Sequence, residues 1–171
     1  METNLARAMA ALTTGIYVLT VAEGARRHGM SSSWVTQVSG EPPMLMVSVD
    51  KSHFTAGIIA RTRTFGLNVV GARGRALEDY FYSARSRRPD NLEEFEYAMS
   101  PGLAVPWLAL AAIAIEARVV QTVAAGDHTL YIAEPAGMRV GAGDRPLTSL
   151  DLDYVYIGGK QVIARDRTGW E

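Results

Sequence analysis

The chain alternates short segments rich in β-branched and aromatic residues with clusters of turn-forming residues. Such segments are typical of strands, because these side chains fit a pleated, half-buried surface. The predicted strands cover 16–21, 29–38, 44–49, 65–70, 113–123, 128–134 and 153–157. Apolar side chains at helical spacing predict peripheral helices at 5–12, 54–61 and 75–84. Many strands with short turns and few helices predict a mainly β barrel with peripheral helices, rather than a doubly wound βαβ sheet.

The size of the chain suits one domain. Its 171 residues contain no internal repeat and no obvious linker, so we predict a single domain over 1–171. The most apolar stretch, 103–115, contains a proline and is shorter than the roughly 20 residues that cross a bilayer. The first residues lack the apolar core of a signal peptide. We therefore expect a cytoplasmic protein that does not enter the membrane.

Charge and composition exclude several classes of function. Seventeen basic and eighteen acidic side chains give a net charge of −1, so nothing overall attracts nucleic acid. The absence of cysteine excludes thiol catalysis, disulfides and the commonest zinc and iron–sulfur sites. The histidines, at 28, 53 and 128, have no partner at metal-ligand spacing, and we predict no metal site. Glycine-rich nucleotide loops and a G-x-S-x-G nucleophile motif are also absent.

The segment Gly29-Met30-Ser31-Ser32-Ser33-Trp34 is the first candidate site. Three consecutive hydroxyls in a strand cannot all face the core, because side chains alternate between the two faces. Small side chains also let a flat ligand approach the backbone, and Trp34 could stack against it. The alternative is a glycine-serine edge strand with one tryptophan in the core. Residue types alone leave these two interpretations equal.

Three further segments carry candidate residues. Ser52 is predicted to cap the helix at 54–61, and Lys51, Ser52 and Thr55 gather near its N-terminus, where phosphate binds favourably. The alternative is an ordinary cap with a solvated lysine. The segment 83–88 supplies three arginines, which either contact phosphate or are simply solvated. His128 opens a strand at the predicted barrel rim and has either a functional or a structural role.

Six motifs occur together in a characteristic order: Thr14–Thr20 (TGIYVLT), Gly29–Trp34 (GMSSSW), Glu41–Pro43 (EPP), Ser48–Thr55 (SVDKSHFT), Phe65–Val69 (FGLNV) and Gly126–His128 (GDH). In this order they resemble the flavin reductase-like family of FMN-binding split β-barrels, and most closely its flavoredoxin-type proteins. The resemblance covers about 11–160. Each motif alone is weakly specific, whereas their joint order is strong.

The resemblance implies a site for FMN. The isoalloxazine ring would lie against the backbone of Met30, Ser31, Ser32, Ser33 and Trp34. The phosphate would contact Ser48, Lys51, Ser52 and Thr55, with Arg85 or Arg87 adding a charge. His128 would reach the nicotinamide side and is the predicted catalytic residue. Asp50 departs from the family pattern, where many relatives carry asparagine or arginine. A carboxylate there disfavours phosphate unless Lys51 neutralises it.

Three functions are compatible with these residues. The first is NAD(P)H-dependent reduction of FMN in a homodimer, with NADH or NADPH as hydride donor. The second is electron transfer from bound FMN to an acceptor protein. The third is a barrel without flavin that serves as a structural or ligand-binding module. A flavin supplies the redox chemistry itself, so the lack of an acid–base constellation does not argue against an enzyme.

Overall fold

The computed structural model describes residues 3–141, 143–158 and 161–164. Its helices are α1 (Thr3–Ala10), α2 (Phe54–Thr62) and α3 (Arg75–Phe81). Its strands are β1 (Tyr17–Glu23), β2 (Arg26–Ser32), β3 (Val35–Gly40), β4 (Pro43–Asp50), β5 (Thr64–Val69), β6 (Tyr97–Met99), β7 (Pro106–Leu108), β8 (Ile113–Ala125), β9 (His128–Val140), β10 (Tyr154–Gly158) and β11 (Gln161–Ala164). The prediction of a mainly β protein with peripheral helices is confirmed.

Seven strands form one antiparallel sheet in the order β2-β1-β5-β8-β9-β4-β3. β6 pairs with β7, and β10 with β11, as separate ribbons. Apolar alternation explains the core: in β4, Leu45, Val47 and Val49 are buried, whereas the residues between them are more exposed. The buried side chains pack against Ile58 and Ile59 of α2. The same alternation turns Ser48 and Asp50 away from the core.

The outer edge of β2 is closed by side chains from the loop after α3. Asp90 accepts a hydrogen bond from the backbone of Arg27. The buried amide of Asn91 binds both the N–H and the C=O of Gly29, each at 2.7 Å. Outward-facing backbone groups recur at every second residue of an edge strand, so those of Ser31 come next. Among the described residues, the backbone groups of Ser31 have no hydrogen-bond partner beyond the sheet, so the edge of β2 is open at this residue.

The predicted strand 29–38 is wrong as a single element. The structure ends β2 at Ser32 and begins β3 at Val35. β2 and β3 lie at opposite ends of the strand order, so the chain must leave one edge before it joins the other. Ser33 and Trp34 make this crossing. The sequence analysis also missed β6, β7 and β11, which have only three or four residues each.

The helices of the described residues are short. None of them has the length and apolar character that crossing a bilayer requires. The longest, α2, has nine residues.

Candidate functional site

A cleft of about 670 Å³ opens beside the free edge of β2. This volume lies within the usual range for small-molecule pockets. The start of α2 forms one wall, α3 and the residues after it form another, and β10 closes a third side. The residues from the sequence prediction that line the cleft are Met30, Ser31, Ser32, Ser33, Trp34, Ser48, Ser52, Arg87 and His128. Residues far apart in sequence thus meet at one site.

Three predicted residues lie outside the lining of this cleft. The Lys51 ammonium group donates a 2.5 Å hydrogen bond to the carbonyl of Gly126. Thr55 is fully buried, and its hydroxyl makes no hydrogen bond within the described part of the chain. Arg85 is exposed, lies 4.0 Å from Glu94 and stacks over the ring of Tyr80.

The N-terminus of α2 differs from the prediction. His53, not Ser52, is the N-cap, and its Nδ1 accepts a hydrogen bond from the backbone N–H of Thr55 at 3.3 Å. The Asp50 carboxylate instead binds both the N–H and the hydroxyl of Ser52, at 2.7 and 2.8 Å. The predicted cap was wrong because Asp50 competes for Ser52. Asp50 also lines the cleft and brings a negative charge to this end of it.

His128 lines the cleft, is 5% exposed and is fixed by two neighbours. Its Nδ1 lies 2.7 Å from a carboxylate oxygen of Asp127. An ionised carboxylate can only accept, so Nδ1 carries the proton and Nε2 of the neutral ring is an acceptor. The imidazole packs 4.8 Å from the ring of Trp34, which in turn contacts Tyr156 at 5.3 Å. These rings form an aromatic wall along the cleft.

A buried carboxyl group on α3 also lines the cleft. Glu78 on α3 is 2% exposed and lines the cleft. It accepts hydrogen bonds from the hydroxyls of Ser31 at 2.6 Å and Tyr154 at 2.9 Å. Burial raises the pKa of Glu78, and these hydrogen bonds oppose the rise. Tyr154 stacks on Tyr82 with ring centroids 4.5 Å apart.

The sequence analysis missed Glu78, Tyr82 and Tyr154. One signal was available: Glu78 lies between Leu77 and Phe81 on the buried face of α3. A carboxyl group on an apolar helix face must find hydrogen-bond partners, so it indicates a polar site nearby. Nothing local to Tyr154 predicts its hydrogen bond to Glu78.

His28 is a further cleft-lining residue that the sequence did not single out. It is 3% exposed and packs edge-on against Phe54 at 4.9 Å. Burial, and then the neighbouring His53, lower the pKa of His28 to about 4. His28 is therefore neutral at physiological pH. Among the described residues, no group of three or more histidine or acidic side chains could hold a metal ion.

A mainly β protein with a cleft of this size and lining is suited to bind a small molecule. Residues 9–160 match the family described as "Flavin reductase like domain", and the chain belongs to this family. The resemblance inferred from the six motifs is thereby confirmed.

Two curated relatives and one solved structure illustrate the similarity. The NADH:riboflavin 5'-phosphate oxidoreductase of Streptomyces pristinaespiralis is 31% identical, with 81% of this chain and 78% of the relative covered. The NADPH-flavin oxidoreductase of Streptomyces viridifaciens is 30% identical, with 91% and 82% covered. The structure of flavin reductase PheA2 in its native state has a TM-score of 0.75 at 23% identity, with 98% and 100% covered. The similarity to this structure shows that the two chains share a fold.

Proposed function

We propose that this protein is an NAD(P)H-dependent flavin reductase that binds FMN in the cleft. The observation that carries the proposal is the lining of the cleft, which brings Ser31 of β2 together with the rings of Trp34 and His128. An open strand edge offers one N–H and one C=O in a fixed arrangement. The polar edge of a flavin ring has carbonyl groups that can accept a hydrogen bond from this N–H. The relatives named above support the same chemistry.

The residues of the cleft fit such a group. The serines of Ser31–Ser33 leave room for a flat ring, and Trp34 supplies an aromatic face. Ser48, Ser52 and Arg87 line the cleft and can meet a phosphate. We leave Lys51, Thr55 and Arg85 out of the proposed site, because they do not line the cleft. A bound flavin would supply the redox chemistry and accept hydride from a nicotinamide.

The residues of the chain would then bind the flavin, orient it towards the nicotinamide and shield it from water. His128 lines the cleft, and Asp127 fixes the orientation of its ring. Its side chain can contact a nicotinamide without taking or giving the hydride. No residue of the cleft has to act as an obligatory acid or base, because the flavin carries the redox chemistry.

Anaerobic titration with nicotinamide tests the proposal. The purified protein is mixed with FMN, and the visible absorption band of the flavin is followed as NADH or NADPH is added. Rapid bleaching by either nicotinamide is expected. Bound flavin that only dithionite bleaches would favour electron transfer to a protein partner instead. Failure to bind any flavin would favour the module without a cofactor.

The arginines at 85 and 87 provide a matched pair for locating the phosphate. Arg87 lines the cleft, whereas Arg85 does not. Arg87→Ala is expected to weaken FMN binding by about 1.5–3 kcal/mol, the usual range for a hydrogen bond to a charged group. Riboflavin, which lacks the phosphate, should bind both proteins equally. Arg85→Ala should leave both affinities unchanged. Fluorescence titrations with the two flavins measure these values, and equal losses for FMN and riboflavin would contradict the assignment.

We also propose that the protein forms a homodimer. Apolar side chains are exposed along the β8–β9 hairpin: Val120, Val123, Met138 and Val140. A stable interface would bury more than about 1,000 Å² in total. Met138→Glu with Val140→Glu should shift the protein towards monomers, because charges would enter an apolar contact. Light scattering measures the mass, and Leu150→Glu, at another exposed apolar position, is the control. A wild-type monomer at micromolar concentration would refute the dimer.

Two broader predictions complete the proposal. We propose that the chain is a single flavin-binding domain, since the family match spans residues 9–160. We also propose a cytoplasmic location, because a chain without cysteine suits a reducing compartment. Cell fractionation tests the location.

A further inference from the structure

Two hydroxyl groups of the cleft donate to one buried carboxyl group. Ser31 reaches one oxygen of Glu78 at 2.6 Å, and Tyr154 reaches the other at 2.9 Å. A hydroxyl has a single hydrogen, so each is already committed to Glu78. While Glu78 is ionised, both hydroxyl oxygens therefore present only lone pairs to a ligand. This part of the cleft accepts hydrogen bonds and does not donate them.

The arrangement is held from two directions. Ser31 lies on β2, which the side chain of Asn91 secures at Gly29. Tyr154 is stacked on Tyr82 with an interplanar angle of 20°. Arg75, the nearby cation on α3, forms its ion pair with Asp79 at 3.1 Å. Within the described residues, no cationic side chain hydrogen bonds to Glu78, so the two hydroxyls are the contacts that its oxygens make.

We propose that Glu78 is a positioning residue that sets the specificity of the cleft: through Ser31 and Tyr154 it selects a ring that offers an N–H donor. In a flavin this donor is the imide N3–H, which stands between two carbonyl groups. A ring with only acceptors at that edge is disfavoured, because its oxygens would face the lone pairs of the two hydroxyls. The inference rests on the proposed flavin-binding function and deepens it.

The experiment compares FMN with its N3-methyl derivative, which lacks the imide hydrogen. Dissociation constants are measured at pH 8 from quenching of flavin fluorescence, with no turnover involved. The wild-type protein should bind FMN more tightly than the N3-methyl derivative. In Glu78→Gln, the side-chain NH2 group donates a hydrogen bond to one of the two hydroxyl oxygens. The hydrogen of that hydroxyl is then released from residue 78 and can point towards the ligand. The ratio of the two constants should then fall about tenfold, the usual effect of one hydrogen bond.

The control is Asp79→Asn, which makes the same charge change at the next residue, where the side chain is 62% exposed. Its ratio should equal that of the wild type. The steric effect of the methyl group is common to all variants and cancels in this comparison. A role for Glu78 in folding alone would weaken both flavins equally and leave the ratio unchanged.

A double-mutant comparison checks that Glu78 acts through the hydroxyls. In a Ser31→Ala, Tyr154→Phe background, Glu78→Gln should change FMN affinity less than twofold. An unchanged ratio in Glu78→Gln, equal wild-type affinity for both flavins, or a full effect of Glu78→Gln in that background would each overturn the inference. These outcomes leave the proposed function intact. Failure of the wild type to bind either flavin would overturn both.

Discussion

Replacing Asn91 with alanine is expected to lower the free energy of unfolding by about 3 kcal/mol, because three buried hydrogen bonds of about 1 kcal/mol each are lost. The Asn91 side chain is fully buried. Its amide accepts from the N–H of Gly29 at 2.7 Å and donates to the carbonyls of Gly29 and Ser86, at 2.7 and 2.8 Å. Alanine would leave all three backbone groups without a partner. Urea unfolding followed by tryptophan fluorescence measures the change.

The adjacent residue supplies the control. Asp90 also binds the edge of β2, at Arg27, but in an exposed position. Asp90→Gly, which tolerates the left-handed backbone of this residue (φ 55°), should therefore cost less than about 1 kcal/mol, because water can replace the lost contact. Asn91 further ties Ser86, next to Arg87, to the strand that borders the cleft. Asn91→Ala should consequently weaken FMN binding even where the protein is fully folded. Equal unfolding energies for the two variants would show that Asn91 does not hold this edge.

Local patterns predicted much of the fold. Most strands and all three helices occur close to their predicted positions, because alternation and helical spacing determine which side chains face the core. The alternation in β4 also explains why Ser48 reaches the cleft. Thr55 could have been placed by the same reasoning: it stands three residues before Ile58 and four before Ile59, so it shares their buried face.

The rest of the site depends on contacts between distant residues. Glu78 meets Ser31 from 47 positions away and Tyr154 from 76, while Asn91 reaches Gly29 across 62. No local pattern specifies which loop will cover a strand edge. The competition at α2 is a different case: Asp50 and His53 were both visible in the sequence, but residue preferences alone do not decide which of several polar side chains becomes the cap.

The second large effect is expected at His128, whose replacement by alanine should slow flavin reduction tenfold to a hundredfold. This corresponds to about 1.4–2.7 kcal/mol in the activation barrier. The side chain lines the cleft, with its Nδ1 bound to Asp127 and its ring against Trp34. Alanine would remove the hydrogen-bonding and packing surface for an incoming nicotinamide. The hydride still comes from the nicotinamide, so reduction should slow without stopping.

Two comparisons separate this role from cofactor binding. Asp127→Ala leaves the imidazole in place but removes the carboxylate that orients it, and should give a milder defect of the same kind. FMN affinity should change less than the rate in both variants, because the β2 edge and Arg87 remain. Stopped-flow reduction of the FMN-loaded proteins by NADH and NADPH gives the rates, and fluorescence titration gives the affinities. A His128→Ala protein that reduces at the wild-type rate but has lost its affinity for FMN would make His128 a cofactor anchor instead.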